Sequence, residues 1–321
     1  MSHRLATIVA VYERITRPLV VACVLFGLGA CHRATNGAAN SASHTTARPN
    51  MLVTTDWLAK HVQDKDLVVL HVGRRAQYDS GHIAGSRPVA LGELSAPATI
   101  TKLSLQIPPI EQLTTWVHNN GIGDKSRIIV VPHDDTLQSA ARVFLTLAYL
   151  GLMDHTSMLD GGYRAWRAEG RMISVERPAP APLRPFTPHI QRSLISTIDQ
   201  VETATHDGKV SLVDARLPRF FNGDGGGYPR PGHIPTATNV PFATVSANGR
   251  FKAPSELHKL FLDAGVSESK PVVTYCHIGQ QASLLWFVAT LLGYDATMFD
   301  GSFQEWSGTE RLPVVVPAAK K

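Results

Sequence analysis

The sequence predicts an α/β protein of two similar domains, each a parallel sheet with helices on both faces. Three observations indicate this fold: short apolar β-branched runs alternate with helical patterns, several segments recur in both halves, and a proline-rich stretch separates the halves. The 321 residues are 44% hydrophobic and 18% charged, a composition that excludes a disordered or fibrous chain and suits about two domains.

The first 30 residues are typical of an export signal. A basic stretch through Arg17 precedes an apolar run of 12 residues, which is too short to span a bilayer. The run ends in Leu28-Gly29-Ala30-Cys31, which resembles a bacterial lipobox, so we expect cleavage before Cys31 and lipidation of its thiol. An ordinary signal peptide with an incidental cysteine is the alternative. Residues 32–50, rich in small polar residues, are predicted to be a flexible tether.

These features predict a protein of the bacterial cell envelope, held on the periplasmic side by its N-terminal lipid. By resemblance to bacterial sorting rules, His32 favours the outer membrane, because an aspartate at that position would signal inner-membrane retention. Residues 1–30 contribute +2 of the net charge of +5, and no Lys/Arg run with interleaved aromatic residues occurs. A nucleic-acid partner is therefore excluded, whereas a small anionic substrate is compatible with the charge.

The globular part divides at a proline-rich segment. Five prolines fall between Pro178 and Pro188, a density that excludes helix and central strand and favours extended polyproline II. We predict a first domain at residues 51–175, a linker at 176–190 and a second domain at 191–316.

The two halves repeat each other. Gly81-His82-Ile83 recurs as Gly232-His233-Ile234, and the segment from Leu159 to Trp166 recurs from Phe299 to Trp306. Residues 129–134 line up with residues 271–276, which predicts that Asp134 occupies the position of Cys276. A repeat longer than about 120 residues indicates tandem duplication and not a solenoid.

The second half has the clearest element pattern. Helices are predicted where apolar residues follow a helical period, and strands where short β-branched runs occur. The predicted helices cover residues 196–206, with Ser196 or Thr197 as the cap, 255–264 and 282–292; the predicted strands cover residues 210–213, 271–275 and 296–299.

Cys276 is the candidate nucleophile. The other cysteines are Cys23, which cleavage removes, and Cys31, so a disulfide framework and a multi-cysteine zinc site are excluded. Cys276 ends a predicted strand, and the loop His277-Ile278-Gly279-Gln280-Gln281 leads into a helix. Backbone N–H groups in such a loop point at the sulfur and stabilise a thiolate or persulfide anion. The alternative is an inert core cysteine.

These residues together resemble a tandem rhodanese, a sulfurtransferase of the thiosulfate or 3-mercaptopyruvate type. The resemblance is based on the cysteine loop, the two Gly-His-Ile segments and the two Asp-Gly segments that end in tryptophan. It implies that Cys276 takes a sulfane sulfur from a small anionic donor and passes it to a thiophilic acceptor such as cyanide or a thiol. It also implies that no metal or organic cofactor is needed. A carboxylate at Asp134 cannot carry sulfur, so the first domain is predicted to be a scaffold.

The resemblance also implies where the donor binds. Asp214-Ala215-Arg216 followed by Arg219 is similar to the family's substrate-binding segment, although one residue fewer separates Arg219 from Asp214. Arginine suits thiosulfate or a carboxylate because its planar fork makes paired charge-assisted hydrogen bonds. Each arginine is alternatively a solvated surface charge or a partner of Asp214. His277 is the third candidate, since it brings positive charge to the loop only when protonated.

Other sites and classes are less favoured. A cysteine-dependent phosphatase needs an arginine six residues after the cysteine, where Ala282 stands, but a non-catalytic sulfur-binding or redox module stays open. His82 and His233 are predicted to be structural, because they recur in the half without a cysteine. The run Gly223-Asp224-Gly225-Gly226-Gly227 precedes no helix and indicates a loop near the site mouth. The remaining candidates, predicted to be core, are Trp57, Trp116, Trp166, Trp286 and Trp306.

Overall fold

The computed structural model describes residues 48–97 and 99–316. The predicted signal, Cys31 and most of the predicted tether lie outside the described residues. Within the described ranges, no helix is long and apolar enough to cross a membrane.

Each half contains seven described strands and five described α-helices. The strands of the first half are β1 (Leu52–Val53), β2 (Leu67–Val72), β3 (His82–Ile83), β4 (Arg87–Val89), β5 (Arg127–Pro132), β6 (Thr156–Leu159) and β7 (Ile173–Ser174). Those of the second are β8 (Ile195–Ser196), β9 (Ser211–Asp214), β10 (Thr238–Asn239), β11 (Ser246–Ala247), β12 (Arg250–Phe251), β13 (Val272–Tyr275) and β14 (Ala296–Phe299).

The helices follow the same repeat. The first half has α1 (Thr55–His61), α2 (Arg75–Asp79), α3 (Ile110–Asn119), α4 (Leu137–Tyr149) and α5 (Gly162–Ala168). The second has α6 (Ile198–Asp207), α7 (Pro218–Phe221), α8 (Pro254–Asp263), α9 (Gln280–Leu291) and α10 (Ser302–Gly308).

The two main sheets are parallel and have the same topology. The first has the order β1-β6-β5-β2-β4, and the second has the order β8-β14-β13-β9-β10. The central strands β5 and β13 are almost entirely buried, as their continuous β-branched runs require when helices cover both faces. The predicted fold, two parallel sheets each flanked by helices, is confirmed.

The hydrophobic core has one shared part and two outer parts. Helices α4 and α9 lie between the sheets, where the rings of Phe144 and Phe287 meet edge to face with their centroids 4.9 Å apart. One outer cluster includes Trp166 of the first half, and the other includes Trp306 of the second. Of the five tryptophans predicted to be core, four are buried, and Trp57 is partly buried against the first outer cluster.

The predicted elements of the second half are confirmed with shifts of one or two residues. Thr197, the second of the two predicted caps, accepts a hydrogen bond from the Gln200 N–H at the start of α6. Helix α9 begins two residues earlier than predicted, because Gly279 with its positive φ starts the helix directly after the cysteine loop. The helix therefore brings its N-terminus closer to Cys276 than the sequence pattern suggests.

Candidate active site

Cys276 lies at the carboxyl end of β13, in the middle of the second sheet, and its side chain is fully buried. Its N–H donates to Ser302 Oγ over 3.2 Å, and its carbonyl accepts from the Phe303 N–H over 2.9 Å. Ser302 has a φ of +52°, which directs its hydroxyl back to the strand end, where it donates to the Phe299 carbonyl. Sequence reasoning missed Ser302, because a serine in this position resembles an ordinary helix start.

The loop after Cys276 surrounds the sulfur with N–H groups. The Gly279 N–H donates to Cys276 Sγ over 3.2 Å, and the N–H groups of Ala282, Ile278 and Gln281 also act on the thiol by lowering its pKa. Burial raises the pKa of the Cys276 thiol, the four N–H groups oppose that effect, and the net pKa is above the usual value. The Gly279 hydrogen bond agrees with the predicted N–H cradle, and such donors favour any anion that forms on the sulfur.

Gly279 is the residue that allows this curl. Its φ is +88°, and a Cβ at this position would lie 3.1 Å from Arg142 Nη1 and 3.3 Å from the Asp300 carbonyl oxygen. A side chain is therefore strained by the backbone conformation and crowded by the packing behind the loop.

His277 is neutral at physiological pH. Its ring meets Phe220 edge to face, and the Tyr228 hydroxyl lies 3.1 Å from Nδ1. Desolvation and then the positive charge of Arg216 lower the pKa of His277 to about 4, and burial raises the pKa of Tyr228 to about 12. His277 therefore adds no positive charge to the loop at physiological pH.

Arg216, which the sequence predicted to bind the sulfur donor, forms its hydrogen bonds within the protein. Its side chain is 1% exposed, and Nε and Nη2 form a forked ion pair with Asp214, the shortest contact being 2.6 Å. Nη2 also donates to the Gly232 carbonyl over 2.7 Å. The hydrogen bonds and charge of Asp214 outweigh desolvation and raise the pKa of Arg216. Of the three roles considered from the sequence, which are donor binding, a surface charge and a partner of Asp214, the geometry favours the partner of Asp214.

Arg219, the other predicted donor ligand, is exposed. It lies on α7 with Cζ 4.4 Å from the centroid of the Phe220 ring, and it forms no ion pair with a described residue. Phe220 in turn contacts His277. Arg219 is thus an available cation at the entrance to the cysteine loop.

The glycine run 223–227 lies between α7 and Tyr228. A Cβ on Gly226 would lie 3.2 Å from Tyr228 and 3.5 Å from Phe220, the two aromatic residues that contact His277. The run therefore lies beside the entrance, where the sequence predicted it.

The first domain supplies contacts to the loop that sequence reasoning missed. Gln280 Nε2 donates to Ser139 Oγ over 2.8 Å, and the buried Arg142 forms an ion pair with Asp300 over 2.7 Å. Gln281, another predicted loop residue, keeps its side-chain oxygen buried without a described partner. The signal that could have found Arg142 is a charged residue in the apolar pattern of α4.

The predicted match between Asp134 and Cys276 is wrong. In the sheets, Val130 pairs with Met158 as Thr274 pairs with Met298, so Pro132 stands where Cys276 stands in the second domain. The first-domain loop from Pro132 to Ala140 is two residues longer than the loop from Cys276 to Ala282, which caused the misalignment. Proline cannot carry sulfur either.

The two Gly-His-Ile histidines have the predicted structural role. His82 Nδ1 lies 2.9 Å from the Tyr78 carbonyl oxygen, and His233 Nδ1 lies 2.8 Å from that of Phe221. Each imidazole also stacks on the aromatic ring of that same partner, with centroids 3.7 Å apart. These contacts confirm a shared structural function in both domains.

Taken together, the fold and the site define a tandem α/β protein with a buried cysteine in an N–H-lined loop at a strand end. The sequence matches the rhodanese-like domain family twice, at residues 54–169 and 197–309. The chain therefore belongs to the rhodanese family.

Similar proteins extend along nearly the whole described chain. The sulfur carrier protein TtuD of Thermus thermophilus is 31% identical over 283 residues, covering 84% of this chain and 97% of that protein. A Mycolicibacterium smegmatis protein named "Putative thiosulfate sulfurtransferase" is 30% identical and covers 84% of this chain and 98% of its own. The crystal structure of the 3-mercaptopyruvate sulfotransferase SseA from Escherichia coli has a TM-score of 0.71 and 27% identity, covering 79% of this chain and 98% of that chain.

Proposed function

We propose that this protein transfers a sulfane sulfur from thiosulfate or a related anionic donor, through a persulfide on Cys276, to a thiophilic acceptor. The chain is an enzyme of the sulfurtransferase class, as its relatives are. The observation that carries the mechanism is the buried thiol of Cys276, whose sulfur accepts the Gly279 N–H and whose pKa the loop N–H groups lower against the effect of burial.

The chemistry needs only the thiol and its surroundings. Once the thiol has lost its proton, the sulfur anion attacks the outer sulfur of thiosulfate, a sulfur–sulfur bond forms, and sulfite leaves with the electron pair of the broken bond. The N–H groups stabilise the anion before attack and the terminal sulfur anion of the persulfide afterwards. Cyanide then takes the outer sulfur as thiocyanate, and the electron pair returns to Cys276 as a thiolate.

Arg219 is the proposed anchor for the donor anion. It is exposed at the loop entrance and free of ion pairs with described residues, whereas Arg216 is held by Asp214. Arg216 lies close enough to lower the pKa of His277, so its charge still acts on the site without a direct contact to donor.

The neutral loop favours 3-mercaptopyruvate as a second candidate donor. Thiosulfate carries two negative charges, and 3-mercaptopyruvate carries one carboxylate. With His277 neutral at physiological pH and no basic residue from 277 to 281, Arg219 is the cation that the loop entrance offers.

Thiocyanate release with each donor, beside the Cys276→Ser variant, tests the function. We expect no turnover in Cys276→Ser, and a mass increase of about 32 Da on the wild-type Cys276 peptide after incubation with donor. An active Cys276→Ser variant would contradict the nucleophile. A wild-type protein that binds sulfur but never releases thiocyanate would instead be a non-catalytic sulfur-binding module.

The donor anchor needs a separate test. Arg219→Ala should lower kcat/KM for donor by about 30- to 150-fold, the effect of losing about 2–3 kcal/mol of charge-assisted hydrogen bonding. Discharge of a preformed persulfide by cyanide should change little. Arg177→Ala, which removes an exposed arginine of the linker, is the control for net charge. Equal effects of the two substitutions would remove Arg219 from the site.

We further propose that Cys31 carries the lipid that holds the protein to the bacterial envelope, with the outer membrane favoured. The support is the sequence alone, a lipobox-like segment after a short apolar run. Cys31→Ala should leave the membrane fraction or stay unprocessed. An unchanged N-terminus and unchanged membrane association would argue for a different anchor.

A further inference from the structure

The two domains hold each other through the aspartates of the repeated Asp-Gly segments. Asp300 of the second domain accepts the Ile107 N–H of the first over 2.9 Å. Asp160 of the first domain accepts the Phe251 N–H of the second over 3.0 Å. Each of these N–H groups lies a few residues before α3 or α8, so the contacts are related by the duplication.

The arginines that complete these two contacts differ. Asp160 pairs with Arg250, whose side chain is 46% exposed, over 3.3 Å. Asp300 pairs with Arg142, whose side chain is fully buried, over 2.7 Å. Leu284 stands at the position of α9 that corresponds to Arg142, counted back from the glycine after each helix. The buried arginine is thus present only at the end of the interface that carries the cysteine.

Arg142 reaches the back of the cysteine loop. Its Nη2 also donates to the Leu105 carbonyl over 2.6 Å, and its Nη1 lies 3.5 Å from Met298 Sδ. A Cβ on Gly279 would lie 3.1 Å from Nη1, so the guanidinium packs directly behind that residue. Gly279 is the residue whose N–H donates to Cys276 Sγ.

We propose that Arg142 of the first domain is a positioning residue for the catalytic loop, holding Gly279 so that its N–H faces the sulfur of Cys276. The inference rests on the proposed role of Cys276 as nucleophile. The fixed planar guanidinium, tied to Asp300 and Leu105, gives the loop a rigid backing that a flexible side chain would not supply. The first domain therefore contributes to the reaction as well as to the scaffold.

A purely structural role of Arg142 predicts a loss of stability without a change in kcat or in the alkylation profile of the folded protein. Arg142→Gln removes the buried pair, and its loss of stability should exceed that of Arg250→Gln, which removes a half-exposed pair at the other end of the interface. Arg250→Gln is the control that weakens the domain contact without touching the loop. Arg142→Lys keeps the positive charge and loses the planar guanidinium.

Three measurements separate the two roles: steady-state kinetics, thermal unfolding, and the pH dependence of Cys276 alkylation by iodoacetamide. We expect Arg142→Gln to lower kcat by about ten- to a hundredfold, as misplacement of a reacting group by about 1 Å does, with a smaller change in donor KM. Alkylation should shift to higher pH because the thiolate loses its N–H donor. Arg142→Lys should recover part of kcat, and Arg250→Gln should keep the wild-type kcat and alkylation profile.

The variants leave unchanged Asp214, Arg216, Tyr228, Tyr275 and His277 around the site. Arg142→Gln leaves Asp300 without its ion pair, whereas Arg142→Lys keeps a cation beside it. An unshifted alkylation profile and wild-type kcat in Arg142→Gln would overturn the proposal. Unfolding of both Arg142 variants beside a folded Arg250→Gln would also overturn it, since the role would then be stability. Alkylation needs no sulfur donor, so a failure of the proposed sulfur transfer would leave this test readable.

Discussion

Replacing Arg216 tests whether its charge serves the fold or the donor. Arg216→Met keeps the length of the side chain and removes the guanidinium. Asp214 is fully buried and would lose every hydrogen bond from the Arg216 side chain. It would keep the hydrogen bond from the backbone N–H of residue 216, over 2.9 Å. An unpaired buried carboxylate results, and breaking a buried ion pair in this way costs about 3–5 kcal/mol of stability.

Thermal unfolding converts that cost into a measurable shift. One kcal/mol moves the Tm of a domain of 150–250 residues by about 2–4 °C, so Arg216→Met should lower the Tm by about 6–20 °C. Adding Asp214→Asn to Arg216→Met should recover part of the lost Tm, because the unpaired buried carboxylate is removed. A double-mutant cycle over the four proteins gives the coupling of the pair.

Donor kinetics complete the test. If Arg216 acts through the fold, the variant that stays folded at low temperature should lose less in donor KM than Arg219→Met, which in turn should keep the wild-type Tm. An unchanged Tm in Arg216→Met together with a strongly raised donor KM would refute the reasoning, because Arg216 would then bind the donor directly.

Two further predictions concern Gly279 and His71. Gly279→Ala should lower activity strongly, whereas the control Gly265→Ala should not. Both glycines have a positive φ near 85–90°, but only at Gly279 are atoms packed against a new Cβ. Equal activities of the two variants would show that only backbone strain matters. His71 is buried, and its pKa is lowered to about 3, so between pH 6.5 and 3 the unfolded chain binds a proton that the folded chain does not. Its contribution makes stability fall as the pH falls, by about 2 kcal/mol between pH 7 and pH 5. Urea unfolding should reveal this slope, and the slope should weaken in His71→Gln; an identical slope in that variant would assign it to other groups.

The sequence alone determined the duplicated α/β fold and the position of Cys276 between a strand and a helix. Strand and helix periodicity are local properties, and so is the order strand, cysteine, glycine-containing loop and helix, which is why the N-terminus of α9 faces Cys276 as predicted. The repeated segments identified the structural histidines His82 and His233 for the same reason.

The tertiary structure decided the roles of the arginines. It also decided which residue of the first domain stands at the position of Cys276. Whether a guanidinium binds a substrate or a carboxylate depends on which groups lie within about 3 Å of it in the folded chain, and some of those groups come from distant segments. Arg216 is held by Asp214 and Gly232, and Arg142 reaches Asp300 across 158 residues of sequence. The hydrogen-bond register of the strands places Pro132 at the position of Cys276. Sequence similarity alone does not give this register, because the loops that follow the two strands differ in length.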